Sequence, residues 1–168
     1  MIALLAEGST EQAILNVLLD HDVLKFNRTD LLQEEVLRVR AGRLFAKRYL
    51  NKGLQSKIDI YRVLDSRAEN FKLPKAYEKK VSSITNIYTR PEIEILYILY
   101  HNDYSKFANQ TDKPSTFAKK NYHDVQNLKA YDENYDFWNL HFDRLIDVLE
   151  QYRKQKNRSE HAIYDLLK

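Results

Sequence analysis

The sequence predicts an α/β fold, a mainly parallel sheet of about four strands covered by helices, with a helical carboxyl-terminal third. Three observations carry this reading. Short apolar runs bounded by turn residues alternate with amphipathic stretches through residues 1–101, residues 102–168 show helical periodicity, and only three Gly and three Pro interrupt the 168 residues. A chain of this length is expected to form a single domain over 1–168, an α/β core over 1–101 and a helical extension over 102–168.

Taken in order, residues 1–6 are a continuous apolar run that meets Glu7 and Gly8 and then Ser-Thr-Glu-Gln, which reads as a buried strand, a tight turn and a helix start. Ser9 and Gln12 have the spacing of a capping box, and Ile14, Val17 and Leu18 give the helix an apolar face. After a polar segment over 21–35, residues 36–40 read as a short strand, Gly42 as a turn, and 44–50 as a basic helix. Residues 57–65 alternate and then become apolar, a strand with Asp65 at its carboxyl edge. Residues 83–89, rich in Ile, Thr and Tyr, form a further strand. Pro91 suits a first helical turn, with Glu92 and Glu94 where the helix dipole favours carboxylates. Residues 102–113 read as a polar loop, 115–121 as a short helix, and 136–154 as one amphipathic helix through Leu140, Leu145, Ile146 and Leu149. A capped helix over 159–167 completes the chain, and Trp138, with Phe137 and Phe142, fits a core anchor for these helices.

Composition excludes several classes. The absence of cysteine rules out disulfides, thiolate metal sites and cysteine nucleophiles, and fits a reducing cytosol, so a cytoplasmic protein is expected. The longest apolar runs, such as 93–100, are too short to span a bilayer, and no basic region followed by an apolar segment and cleavage site opens the chain. Neither membrane insertion nor export is expected. A net charge of +3 does not by itself argue for nucleic acid. The basic residues cluster, however, as Arg38, Arg40, Arg43, Lys47 and Arg48, and again as Arg153, Lys154, Lys156 and Arg158. The first group could track a phosphate backbone, with salt-sensitive binding and no sequence readout; a solvated charged face has the same pattern. Twelve Tyr fit half-buried positions or base stacking equally.

In open α/β sheets ligands bind beyond the carboxyl ends of the strands, so Glu7 and Asp65 are the candidate catalytic pair. Two carboxylates converging there make a hard-oxygen site for Mg²⁺ or Mn²⁺, which would bridge to a phosphate and polarise it. Taken singly, either residue serves as readily as a helix cap or turn former. The five His, at 21, 101, 123, 141 and 161, lack ligand spacing, and Ser9 lacks the Gly-x-Ser-x-Gly turn of a nucleophile.

Leu-Leu-Ala-Glu-Gly-Ser-Thr-Glu-Gln resembles the opening of Toprim domains, an apolar strand followed by Glu-Gly, one residue and Thr-Glu, notably in OLD-type and RloB-like nucleases linked to phage defence. The resemblance implies a Toprim-like fold in which Glu7 serves in acid–base chemistry and metal binding. Residues 90–101 are similar to the RloB-like Pro-x-Phe-Glu-x-Trp-Leu-Leu-Leu segment, with Glu94 on its glutamate. The whole sequence is also similar to small bacterial and phage proteins labelled adenine DNA methylase. It has, however, no Asp/Asn-Pro-Pro-Tyr/Phe motif and no glycine-rich turn for S-adenosylmethionine.

Toprim domains usually follow their second acidic strand with Asp-x-Asp, whereas Asp65 is followed by Ser66 and Arg67. A cation there would repel a second metal ion, while Arg67 could grip a phosphate as a forked donor. Glu69 or Glu94 could supply the missing carboxylate. The expectation is a Mg²⁺- or Mn²⁺-dependent, nuclease-like enzyme acting on DNA or RNA. Glu7 and Asp65 are its catalytic residues, Glu7, Asp65, Glu69 and Glu94 its metal ligands, and Arg38, Arg40, Arg43, Lys47, Arg48 and Arg67 its nucleic-acid contacts. The alternative is a non-catalytic Toprim-shaped module for nucleic acid or a partner protein, with Arg67 paired to Asp65. A third reading is a methylase-associated protein. A partner protein or a second copy in a homo-oligomer could complete the site.

Overall fold

Aliphatic and small residues place β1 (Ile2–Ala6) in the interior, where Ala3 and Leu4 are fully buried. The computed structural model describes residues 1–53, 56–65 and 70–168, so the proposed roles of Arg67 and Glu69 fall outside the described residues. β1 pairs in parallel with β2 (Ile58–Leu64), which pairs in parallel with β3 (Val81–Tyr88), giving the order β1-β2-β3. The register sets Ala6 opposite Val63 and Leu64 opposite Tyr88, so all three strands end at one rim.

The coarse expectation of an α/β fold with a parallel sheet holds, but among the described residues the sheet has three strands rather than four. Residues 36–40 lie at the fourth position without forming a strand. Leu37 donates its N–H to Leu4 O (2.9 Å) and accepts from Ala6 N–H (2.9 Å). The neighbouring Val36 carbonyl accepts from the Gln12 side chain (3.0 Å), which ties this segment to α1 as well.

Alternation of side chains divides the sheet between two apolar layers. Ala3, Leu5, Ile58 and Ile60 pack with Val39, from the segment before α2, and with Phe45 and Leu50, contributed by α2 (Gly42–Phe45) and the π turn Ala46–Leu50 that continues it. Phe45 and Leu50 are wholly buried, each stabilising the fold by roughly 2–3 kcal/mol. Gly42 starts this helix against the Lys72 backbone, where an added Cβ would lie 2.7 Å from the carbonyl carbon. Leu4, Ala6, Val63 and Ile87 face the larger layer, whose apolar cluster runs from Leu4 to Leu166 and unites the α/β core with the helical third.

Helix α1 (Ser9–Asp20) is central to that layer. The capping box does not form: Gly8 is the N-cap residue, Gln12 reaches Val36, and Ser9 Oγ accepts from Arg38 Nη1 at 3.1 Å. Tertiary partners outcompete the local cap for the same side chains. The apolar face predicted from Ile14, Val17 and Leu18 extends almost around the helix, because α7 (Tyr131–Leu140) packs on the side away from the sheet. Thr10 Oγ1 donates to Leu128 O (2.9 Å), Asn16 Nδ2 to the Tyr131 hydroxyl (3.0 Å), and the His21 ring stacks 3.7 Å from Phe142.

Further along, the short helix α3 (Lys75–Glu78) precedes β3. Pro91 does not open a helix. The Arg90–Pro91 peptide is cis, Glu92 to Glu94 form a turn, and α4 begins later (Ile95–Tyr100). Within the expected polar loop, α5 (Tyr104–Ala108) forms because the Phe107 ring packs on Phe117, 5.5 Å away. The short helix read at 115–121 is α6 (Pro114–Asn121).

The single helix expected over 136–154 is two, α7 and α8 (Phe142–Gln155), broken at His141. The break turns Leu145, Val148, Leu149 and Tyr152 inward while leaving Leu140 78% exposed. Trp138 is fully buried against Tyr97 and Tyr100, as its anchor role requires. The last capped helix is only a 3-10 turn, Ile163–Leu166. Lys25 N–H to Leu166 O and Lys168 N–H to Val23 O, both 2.9 Å, tie the chain there into an extended pairing incompatible with a longer helix. Among the described residues no helix is long and apolar enough to cross a membrane.

Candidate active site

The strand register brings distant carboxylates together at the rim. Glu7 follows β1 directly, its N–H bonded to Val63 O at 3.0 Å, and Asp65 follows β2. The Asp65 N–H donates to Glu7 Oε2 at 3.2 Å, which brings the two residues of the expected catalytic pair into direct contact. A cleft of about 240 Å³ opens here, lined by Glu7, Glu11, Asp65 and Glu94 with Arg38, Arg40 and Lys129.

Glu11 enters from the first turn of α1, four residues after Glu7, and is only 6% exposed. Its carboxylate folds back over Gly8, where a Cβ would collide with Glu11 Oε2. A side chain at position 8 would therefore push the end of the Glu11 side chain out of its place in the cleft.

Glu94 arrives on the turn between β3 and α4, which a network behind it holds in place. Arg90 Nη2 donates to both carboxylate oxygens of Glu160 (2.8 and 3.0 Å), Tyr152 OH to Arg90 O (2.5 Å), and Lys156 Nζ to Tyr88 O (2.5 Å). Glu92, on the same turn, accepts the Ser115 N–H at 2.9 Å near the start of α6, a structural task at that helix terminus.

Lys129 comes from the loop between α6 and α7. That loop is clamped by Thr10 and by the fully buried Asn134, whose Nδ2 donates to Leu128 O (3.0 Å) and Ala130 O (2.6 Å) while Oδ1 accepts from the Tyr97 hydroxyl (2.7 Å).

Negative charge accumulates in this cleft faster than cations offset it. Burial raises the Glu11 pKa from 4.5 to about 7, against its own backbone hydrogen bond and with help from Glu94, Asp65 and Glu7. Burial also raises Glu94, opposed by its backbone hydrogen bond, reinforced by Glu92 and Asp65 and eased by Lys129. The cations on the opposite wall are Arg40, whose Nη2 lies 3.6 Å from Glu7 Oε1, and Arg38 on Ser9.

Because Glu11 ionises near 4.5 in the unfolded chain but near 7 in the folded one, its contribution to stability is fully present below pH 4.5 and is lost as pH rises through 7. In EDTA the unfolding free energy should therefore fall by about 2–3 kcal/mol between pH 5 and pH 8. Urea denaturation at each pH measures it; Glu11→Gln should remove most of the fall, and an equal fall in both proteins would assign it elsewhere.

The expected site residues are thus brought together unequally. Glu7, Asp65, Glu94, Arg38 and Arg40 line one cleft, while Arg43, Lys47 and Arg48 are exposed on the 42–50 segment and do not line it. Glu11 and Lys129 are additions. Glu11 carried a signal, its place in the Glu-Gly-Ser-Thr-Glu run; Lys129 carried none, being positioned by hydrogen bonds from residues remote in sequence. Among the described residues, carboxylate oxygens are the strong ligands in the cleft, a donor set that fits Mg²⁺ or Mn²⁺. Among the described residues, no three His, Asp or Glu side chains are arranged as a closed metal-binding group. No family model, no curated protein and no solved structure matches the chain.

Proposed function

We propose that the protein is a Toprim-like, divalent-metal-dependent enzyme acting on phosphodiester bonds of DNA or RNA, in the phage-defence setting that its resemblance implies. The observation that carries this reading is the hydrogen bond from the Asp65 backbone N–H to Glu7 Oε2, which ties the Glu7 carboxylate to the strand end that bears Asp65, so that two acidic residues from distant parts of the chain line one cleft that also holds cations. Glu7 and Asp65 would hold Mg²⁺ or Mn²⁺, with Glu94 as an accessory ligand, and the ion would polarise the phosphate. Arg38, Arg40 and Lys129 hold the anionic diester against the acidic wall, and Glu7 moves the proton of the attacking or departing oxygen. The excess of carboxylates over cations favours this reading over a plain anion site: Glu11, raised to about 7 chiefly by burial and further by Glu94, Asp65 and Glu7, would ionise more readily beside an added cation.

Cleavage of end-labelled DNA and RNA should require added Mg²⁺ or Mn²⁺ and stop in EDTA. Calorimetric titration should show submillimolar Mn²⁺ binding that Asp65→Asn weakens at least tenfold. No Mn²⁺ binding by the natural protein would overturn the enzyme reading and leave an interaction module.

A further inference from the structure

A second, larger groove adjoins the carboxylate cleft. About 1040 Å³ in volume, it runs between α6 and the 122–129 segment, and Lys129 lines both. Its electrostatics are the reverse of its neighbour's. No Asp or Glu lines it among the described residues, whereas Lys119, Lys120 and Lys129 do, all three exposed. Lys120 Nζ is paired with Asp112 at 2.8 Å, an exposed pair worth little and readily exchanged for a phosphate. Besides the lysines the lining combines polar side chains such as His123, Gln126 and Asn127 with an apolar part, Tyr122 and Val125 buried and Leu128 half-buried.

Exposed lysines beside apolar and hydrogen-bonding side chains suit a flexible polyanion that carries a flat, partly polar group at each charged unit. We propose that this groove binds a single polynucleotide strand, with phosphates on Lys119, Lys120 and Lys129 and bases or sugars against Tyr122, Val125 and Leu128, and leads it to the carboxylates. This rests on the reading that the cleft acts on phosphodiesters, and it gives the helical third a task of its own. A duplex is disfavoured because its bases are stacked away from the groove's apolar side chains.

Fluorescence anisotropy with labelled unstructured DNA and RNA of about 20 nucleotides, in EDTA so that binding is read without cleavage, tests the groove. The Lys119→Ala/Lys120→Ala protein, checked for its fold by circular dichroism, should bind about tenfold more weakly at low salt. Its slope of log affinity against log salt should be shallower by about 1.4. A greater loss with RNA or with DNA identifies which of the two the groove prefers. Unchanged affinity and slope, equal affinity for duplex, or loss confined to an Arg43→Ala/Lys47→Ala/Arg48→Ala protein would each overturn the proposal. Failure of the two readings is separable: strand binding that needs the lysines but is never followed by metal-dependent cleavage removes the enzyme alone. Cleavage with binding indifferent to the lysines removes the groove alone.

Discussion

Glu7→Gln is expected to lower metal-dependent cleavage roughly a thousandfold while leaving the unfolding free energy within about 0.5 kcal/mol of the natural value. The substitution is nearly isosteric. The Gln carbonyl oxygen can still accept the Asp65 N–H that Glu7 Oε2 accepts at 3.2 Å, so the rim keeps its geometry. What disappears is the charge, and with it the capacity to hold a divalent ion and to carry a proton. The Arg40 guanidinium, 3.6 Å from Glu7 Oε1 and itself 62% exposed in its side chain, adds little to stability, so its loss of a partner is cheap. Parallel assays of cleavage and urea denaturation separate the two effects. Full activity in the variant would remove Glu7 from the mechanism, and a large fall in stability would show the carboxylate to be a structural group.

The second large effect is structural and acts on the site from behind. Asn134→Leu should destabilise the protein by about 3 kcal/mol and reduce cleavage by displacing Lys129. Leu nearly matches the volume but supplies no hydrogen bond. Tyr97, 1% exposed, would lose the acceptor of its hydroxyl, and the Ala130 carbonyl would lose the 2.6 Å bond that closes the loop. Leu128 O would keep only Thr10. Equilibrium unfolding gives the stability change; a cost below about 1 kcal/mol would mean that the loop is held by its apolar contacts instead.

Sequence reasoning succeeded where one short stretch contained its own boundary. The apolar run ending at Glu7 and Gly8, and the alternating run ending at Asp65, specify strand, edge and acid within a few residues, and the structure brings those two residues together. It failed where two partners compete for one group. Ser9 and Gln12 have the spacing of a cap, but Arg38 and the Val36 carbonyl, meeting them only after folding, are the partners they take. The apolar repeat across residues 136–154 is continuous, and the break at His141 accompanies the packing of α8 against α4, which the repeat itself does not reveal. Glu92 reads as a carboxylate suited to its own helix, yet it caps α6. Lys129 is one lysine among many until Thr10 and Asn134 fix its loop.

The burial of α1 on nearly every side also has a consequence for how the chain is made. Ala13, Ile14, Val17 and Leu18 leave the ribosome well ahead of their cover, because the helix that shields their outer side, α7, and the carbonyl that secures Thr10 are encoded more than a hundred residues later. While the intervening residues are being made this greasy segment has no permanent cover, so its productive folding waits for α7, and a nascent chain stalled before that helix emerges offers chaperones and proteases an exposed apolar target.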